Sequence, residues 1–470
     1  MKRSNYILSL CALFLVLGAT LHAQDVQRFS ERQIIGTARY VGMGGAMTAI
    51  GGDPSAVLDN PAGLGLYRRS EIALTVDETI DRTHQDGSKD AYQRARFAAP
   101  HVSAIWAMGR PAKQRGMIYS NFMISANRLA NYNRDVTVEG TATGMLPTIC
   151  LLTDGLEEGF LQEKPWDDVE IGWLSILGYE GYLIDPSSNA EWVPAVDMTT
   201  GKLSITESGT ADQYSVSWAA NISNQWYVGL SLNVPTLTYT KRVSLLETDR
   251  INSAELKSMY YVSGLGVSGS IGLIYRPIQA LRIGASFQTP TMMNLSVQTE
   301  GDMYSSVAGQ SYEVLTPSSG VMDMEMIAPL RTSVSVAAQI GEYAMIAAQY
   351  DYAHAEEMED VHTMRLGVEA QAYRGLFLNA GYVYESSFLD EEAPIGLDYN
   401  SVRTDMDYRY TTYSQYASAG IGYRGDMFVA QVAYQYRWQM LHQYATEMQA
   451  LPMDVQTNTH RIVATLAWRL

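Results

Sequence analysis

The sequence predicts an all-β protein, a 14-stranded antiparallel transmembrane β-barrel with an N-terminal hatch plugging its lumen. Three observations predict this fold. After residue 70, segments that alternate apolar and polar side chains recur to the C-terminus. Their connections alternate between long and short, as the extracellular loops and periplasmic turns of barrels do. Glycines crowd residues 36–65, ahead of the first strand.

Residues 1–23 have the pattern of a secretory signal peptide. Lys2 and Arg3 precede the apolar run Ile7–Leu17, and small residues follow up to Ala23, where we expect cleavage. This apolar run is too short to cross a bilayer as a helix. We therefore divide the chain into the signal peptide, a hatch over 24–70 and a barrel over 71–470.

The composition excludes several classes of protein. Apolar residues make up 47% and charged residues 18%, below the roughly 25% charged residues of soluble domains. Mean hydropathy is −0.11, too low for a bundle of membrane-spanning helices. Tyrosines number 31 against 9 phenylalanines, which suits rings placed at a membrane–water boundary. Outer-membrane lipid is therefore an expected partner.

The net charge and the cysteine content narrow the range of possible partners and metal sites. Loss of the two basic residues of the leader takes the net charge from −17 to −19, and such a surface repels nucleic acid. Cys11 lies in the leader after Leu10, where a lipoprotein signal would have a small residue. Cys150 is then the only cysteine left, so neither an intrachain disulfide nor a multi-cysteine zinc site can form. We expect no metal and no cofactor.

The predicted strands present one apolar and one polar side. In one of them Leu366 and Val368 oppose Arg365 and Glu369, which fits lipid outside and a polar lumen inside. A soluble sandwich with its apolar side inward is the alternative, but it leaves the alternation of loop lengths unexplained. The strands are expected at 71–77, 97–108, 116–126, 212–222, 225–240, 258–276, 281–298, 328–340, 343–354, 361–374, 376–387, 410–424, 426–440 and 457–470.

The Gly-rich segment 24–70 is interpreted as compact backbone inside the lumen, because glycine allows close packing against the wall. An ordinary linker is the alternative. A phosphate-binding loop is excluded, since no Gly-Lys-Ser/Thr sequence and no preceding strand are present.

The run 36–46, followed by 59–64 (Asp-Asn-Pro-Ala-Gly-Leu), resembles the N-terminal hatch of FadL-type outer-membrane channels, the hydrophobic-compound or long-chain fatty-acid transporters. Segments 272–277 and 281–290 look like the paired central strands of that family. The resemblance covers nearly the whole mature chain. It implies a plugged 14-stranded barrel and passive uptake of hydrophobic molecules, which leave sideways through the wall. Its hatch motif corresponds here to Gly44, Gly45, Asn60, Pro61 and Ala62.

Three arginines are candidate luminal ligand-binding residues. Arg365 and Arg461 fall on inward faces of strands, and Arg39 lies in the hatch. A carboxylate ligand in a low-dielectric lumen would need such a cation. The alternative is that each arginine is paired with a carboxylate of the protein, such as Glu369, Asp53 or Asp59.

The long loop 127–211 contains many apolar residues, among them Phe160 and Trp173. They form either an extracellular capture groove or a self-packed cap over the barrel mouth. His354 and His362 flank an acidic run, which we interpret as a solvated loop rather than a cation site.

No nucleophile elbow and no His-Glu-x-x-His motif occurs in the sequence. His101 beside Ser103 is a weak sign of a Ser/His pair, as in a barrel phospholipase on the lipid-facing wall. The sequence thus favours a non-enzymatic bacterial outer-membrane channel that takes up hydrophobic, long-chain fatty-acid-like molecules. The alternatives are a protein-docking or secretion-shuttle barrel with a secreted protein partner and, less favoured, a barrel enzyme acting on lipids.

Overall fold

The computed structural model describes residues 23–85, 91–109, 115–141, 143–168, 170–187, 191–317, 320–341, 343–355, 360–387, 401–446, 449 and 453–470. The predicted signal peptide, apart from Ala23, lies outside the described residues, as do residues 388–400 of the predicted loop between the strands 376–387 and 410–424. No helix among the residues described is long and apolar enough to span a membrane.

Twenty strands dominate the described chain. Eighteen of them form one sheet, and β5 and β6 pair separately. In chain order the strands are β1 (Glu71–Gln85), β2 (Ala91–Gly109), β3 (Met117–Asn131), β4 (Arg134–Thr141), β5 (Ile184–Pro186), β6 (Trp192–Pro194), β7 (Thr200–Ile222), β8 (Trp226–Thr248), β9 (Ser253–Ile278), β10 (Leu281–Gln288), β11 (Thr291–Val307), β12 (Gln310–Leu315), β13 (Gly320–Ala328), β14 (Leu330–Ile340), β15 (Ala344–His354), β16 (Val361–Tyr373), β17 (Leu376–Ser386), β18 (Tyr408–Arg424), β19 (Phe428–Tyr444) and β20 (Met453–Arg469).

The large sheet closes into a 14-stranded antiparallel barrel, which confirms the predicted fold class. Each wall strand pairs with its neighbour along the chain, and β1 closes the circle on β20 from Glu71 opposite Arg469 to Gln85 opposite Val455. Three wall strands consist of two pieces each, β3 with β4, β10 with β11, and β13 with β14, and β12 only extends the sheet beyond them.

The strands run further than the alternation of the sequence indicated. The predicted long loop at 241–257 is a tight hairpin, because β8 continues to Thr248 and β9 starts at Ser253. Likewise β7 begins at Thr200, inside the segment predicted as loop 127–211. The added portions do alternate, with Leu203 in β7 and Leu245 in β8 among residues buried at every second position. Ser208-Gly209 in β7 and Lys241-Arg242 in β8 interrupt the apolar alternation before it resumes, so the predicted strands stopped short.

The two faces of the wall differ as predicted. In β20, Leu466 is 66% exposed on the outside, whereas Arg461 on the inward face is only 3% exposed. The same division separates Leu366 from Arg365 in β16. At the periplasmic rim Trp226 stacks on Tyr275 with ring centroids 4.1 Å apart, as aromatic girdles do at an interface.

One seam of the wall is interrupted. Gln288 of β10 pairs with Arg331 of β14, and the next pairing, Thr291 with Ala328, joins β11 to β13. Pro290 and Pro329 lie between these pairs. Because proline has no amide hydrogen, neither residue can donate to the ladder. The interruption therefore follows from two prolines that face each other across adjacent strands.

The N-terminal segment lies inside the barrel, so the predicted hatch occupies the lumen. Its middle part is buried, including Ile34, Val41, Met43 and Met47, which cluster with inward residues of the wall such as Val383. Its helices are short: α1 (Ala23–Ser30), α2 (Ala38–Gly42), α3 (Ala56–Asp59) and a 3₁₀ helix (Pro61–Leu66).

A cap covers the extracellular mouth. It contains the helices α4 (Met145–Thr153), α5 (Glu158–Gln162) and α6 (Trp173–Glu180). Ile149 and Leu177 of the cap are buried in one apolar cluster with Leu203 and Leu245 of the extended strands. The structure therefore favours the self-packed cap over an open groove for most of these apolar residues, although Phe160 is 54% exposed.

Candidate functional site in the barrel lumen

The side chain of Asn60 links two parts of the hatch to each other and also contacts the wall. Its side-chain oxygen accepts from the Ala62 amide at 3.0 Å and so caps the 3₁₀ helix that Pro61 begins. Its side-chain amide donates to the Thr48 carbonyl at 2.8 Å and to the Leu273 carbonyl of β9 at 3.2 Å. The Asn-Pro-Ala sequence thus combines a helix start with a wall contact.

Glycines bring the hatch backbone against the wall. Gly44 has φ +61°, and a Cβ at Gly381 of β17 would lie 2.2 Å from the Gly44 amide nitrogen. Neither position can hold a larger residue without displacement of the hatch, because real Cβ atoms do not approach that closely. Gly45 is equally confined, since its Cβ would lie 2.6 Å from Arg365 Nη1.

Arg39 and Arg365 are held by carboxylates of the protein. Arg39 forms an ion pair with Glu369 of β16. Arg365 Nε lies 2.7 Å from Asp351, and Arg365 Nη1 lies 3.2 Å from Asp59. Buried arginines with such partners are satisfied without a ligand.

Arg461 is also satisfied within the protein. Its Nε lies 3.4 Å from Asp77 of β1, and its Nη1 donates to the Ile34 carbonyl of the hatch at 3.2 Å. Each of the three predicted ligand-binding arginines therefore joins the hatch to the wall through acceptors that belong to the protein. This arrangement matches the alternative of pairing, and their role toward a ligand stays a prediction.

A buried ionic network fixes helix α1 at the extracellular end. Asp25 accepts from Arg28 at 3.0 Å and from Arg403 at 2.6 Å. Arg403 also pairs with Asp405, which Lys241 of β8 contacts at 2.6 Å. Burial would raise the pKa of Asp25, but the surrounding cations outweigh burial and hold that pKa below its ordinary value. The network links the hatch to segment 401–407 and the wall.

Two arginines that the sequence did not single out lack such partners. Arg32, just after α1, contacts only the neutral side chains of Gln288 and Gln213, at 2.9 and 3.5 Å. Arg331, the second residue of β14, donates to the Ser30 carbonyl at 2.5 Å. Among the described residues no carboxylate lies within ion-pair distance of either guanidinium. No sequence signal separates them from the paired arginines.

His101 lies on the inward face of β2 beneath the hatch, not on the lipid-facing wall. Its Nε2 lies 3.1 Å from Ser103 Oγ and its Nδ1 lies 2.5 Å from Asn127 Oδ1. Ser55 of the hatch covers the ring at 3.5 Å. His354 instead pairs with Asp360 at 2.6 Å in an exposed position. The described part of the chain contains no group of three or more side chains arranged to hold a metal.

Comparisons with known proteins agree with the architecture. No protein-family model matches the sequence, and no curated protein matches it. A crystal structure of a Pseudomonas aeruginosa FadL homologue superimposes with a TM-score of 0.55 at 10% identity, covering 93% of this chain and 99% of that one. The CymD monoaromatic hydrocarbon channel gives 0.51 at 14% identity, covering 94% and 99%. The Pseudomonas putida toluene transporter TodX gives 0.52 at 10% identity, covering 93% and 99%. The chain therefore has the fold of the FadL-type outer-membrane channels, as its sequence motifs predicted.

Proposed function

We propose that this protein is an outer-membrane channel for the passive uptake of hydrophobic small molecules. The observation that carries the proposal is a barrel with an apolar outer face whose lumen is filled by an N-terminal hatch. Barrels of the same fold include proteins named as a monoaromatic hydrocarbon channel and a toluene transporter. The hatch would have to move for a molecule to pass.

Extracellular capture would use apolar surface around the cap. Leu151, Phe160 and Tyr182 remain exposed there, and burying an apolar ligand against them yields about 25 cal/mol per Å² of apolar surface. No energy source is needed for a downhill flux of such molecules. The captured molecule would then pass the hatch.

The interrupted seam supports a sideways exit. At Pro290 and Pro329 the wall lacks ladder hydrogen bonds, and the adjacent outer residues Met292 and Ile327 are exposed and apolar. An apolar molecule that leaves there enters lipid directly and avoids water. The alternative role in protein docking or secretion stays a prediction, because no feature described above favours it.

The test is uptake by cells whose own hydrophobic-compound channel is deleted. Expression of the full chain is expected to raise the uptake rate of radiolabelled toluene or of radiolabelled oleate above that of empty-vector cells. Comparing the two compounds decides whether the substrates are fatty-acid-like. Uptake of a water-soluble sugar, measured in parallel, should not change. If cells with the folded protein in their outer membrane take up neither hydrophobic compound faster than empty-vector cells, the proposal is contradicted.

A further inference from the structure

Two small recesses lie between the hatch and the inward face of the wall. Both are lined by Arg32 of the hatch and by Arg331, Val361 and Glu385 of the wall. Each has a volume of about 30 Å³, which is room for roughly two water molecules. The recesses are thus too small and too polar for an apolar chain.

Arg32 and Arg331 differ from the other arginines around these recesses. Arg28 and Arg409 both lie within 3.4 Å of a Glu207 oxygen, and Arg365 pairs with two aspartates. Within the described chain, Arg32 and Arg331 instead contact amide oxygens of Gln288, Gln213 and Ser30. Both side chains are part-buried, and a guanidinium that has lost part of its hydration without gaining a counter-charge is stabilised by binding an anion.

In the first recess the described lining carries four guanidiniums, those of Arg28, Arg32, Arg331 and Arg409, against the carboxylates of Glu31 and Glu385. Glu31 is itself engaged by Arg437 at 2.6 Å. In the second recess Arg32, Arg331 and Arg365 face Asp59, Asp351 and Glu385, so that lining is balanced. Glu385 lines both recesses but lies beyond 4 Å from any described cation, and its carboxylate accepts only a 3.4 Å hydrogen bond from Thr363. The described lining of the first recess therefore carries an excess of positive charge.

We propose that a small oxyanion, the size of a carboxylate or phosphate group, binds between Arg32 and Arg331. Guanidinium groups bind both kinds of oxyanion through paired N–H donors. Arg32 belongs to the hatch, and Arg331 is the second residue of β14, beside the interrupted seam. The bound anion therefore bridges the hatch to the wall. This site goes beyond uptake of hydrophobic molecules and does not depend on it.

The test is isothermal titration of the full chain, folded in a neutral detergent and kept in a chloride buffer of constant ionic strength. Inorganic phosphate and sodium acetate are the two probes, and the tighter one identifies the kind of oxyanion. We expect one saturable site. Arg32→Gln and Arg331→Gln are each expected to weaken binding at least tenfold, and Glu385→Gln is expected to strengthen it because a repelling carboxylate is removed.

The matched control is Arg128→Gln. Arg128 Nε lies 2.9 Å from Asp212 Oδ1, and Arg128 lines neither recess. The affinity of this variant should equal that of the native chain. Arg32→Lys keeps the charge but loses the paired donors, so an intermediate affinity is expected even if the glutamine variant fails to fold. Absence of binding to native protein that shows the gel mobility of a folded barrel would overturn the proposal. Unchanged affinity in both the Arg32 and Arg331 variants would also overturn it.

Discussion

Glu369 of the wall accepts two hydrogen bonds from Arg39 of the hatch, from Nε to Oε2 at 2.7 Å and from Nη2 to Oε1 at 3.0 Å. A second guanidinium, that of Arg424, donates to the same Oε2 atom at 2.6 Å. This one carboxylate therefore balances two arginines at the periplasmic end of the lumen.

The two partners should respond unequally to mutation. Glu369→Gln leaves two buried arginines without a counter-charge, and we expect it to lower the free energy of unfolding by about 3–5 kcal/mol. Arg39→Gln leaves Glu369 paired with Arg424, so a loss of only about 1–2 kcal/mol is expected. Urea unfolding of the two variants in lipid vesicles measures the difference. A larger loss for Arg39→Gln would contradict this account of the pair.

Gly381→Ala should displace the hatch without unfolding the wall, because the new methyl group would overlap the Gly44 backbone. Single-channel recordings are expected to show more frequent or larger openings than the native chain. Gly269→Ala is the control, since its Cβ would meet only the Ser231 carbonyl, at 4.0 Å. Native-like recordings from Gly381→Ala would show that close backbone contact does not hold the hatch.

Deletion of residues 24–70 should convert the barrel into an open pore. The inward faces of the wall carry charged residues such as Arg461 and Glu369, so water and ions can occupy the emptied lumen. A several-fold rise in single-channel conductance is expected in planar bilayers. Unchanged conductance of a correctly folded deletion variant would disprove the assignment of this segment as the plug.

Docking of helix α1 should withstand mild acid. The pKa of Asp25 lies below its ordinary value of 3.8 because Arg403, Arg28 and Lys241 together outweigh burial. A carboxyl whose pKa is depressed in the folded state stabilises that state above its ordinary pKa, and this contribution disappears as the pH falls through the depressed value.

A nitroxide label at position 27, introduced as Gln27→Cys with Cys150→Ser, tests this dependence. We expect immobile spectra at pH 7 and pH 5 and mobility only below about pH 3.8. Adding Asp25→Asn should give mobility already at pH 7, because Arg28 and Arg403 each lose a partner. A native label that is mobile at pH 5 would contradict the role of the network.

The Cys150 thiol should react slowly while the cap is folded. Burial, more than the nearby carboxylates of Asp154 and Asp185, raises the pKa of this thiol to about 12. The thiolate is the reactive form, so at pH 8 alkylation by iodoacetamide should be about a thousandfold slower than in denaturant. Equal rates would show that the cap opens readily around α4.

The wall was predictable because its alternation of side chains is local. Strands such as 457–470 show one apolar and one polar side within a few residues, and lipid outside makes that alternation nearly obligatory. The extracellular extensions were not predicted, because Ser208-Gly209 in β7 and Lys241-Arg242 in β8 interrupt an apolar alternation that resumes beyond them. The prolines at 290 and 329 are visible in the sequence, but their opposition depends on strand register.

The choice among luminal arginines could not be made from the sequence. Arg39 finds Glu369 at a separation of 330 residues, and such pairings depend on how the hatch sits against the wall. Whether an arginine has a partner is therefore a property of the folded lumen. Arg32 and Arg331 resemble the paired arginines in every local respect and differ only in what lies across from them.

The pairing of β1 with β20 also encloses the hatch. Glu71 meets Arg469, so the circle of strands closes only when β20 lies beside β1. The hydroxyl oxygen of Thr465, in β20, accepts a hydrogen bond from the Ala38 amide of the hatch. The strand that closes the barrel therefore also holds the plug, so closure of the wall and seating of the hatch are coupled.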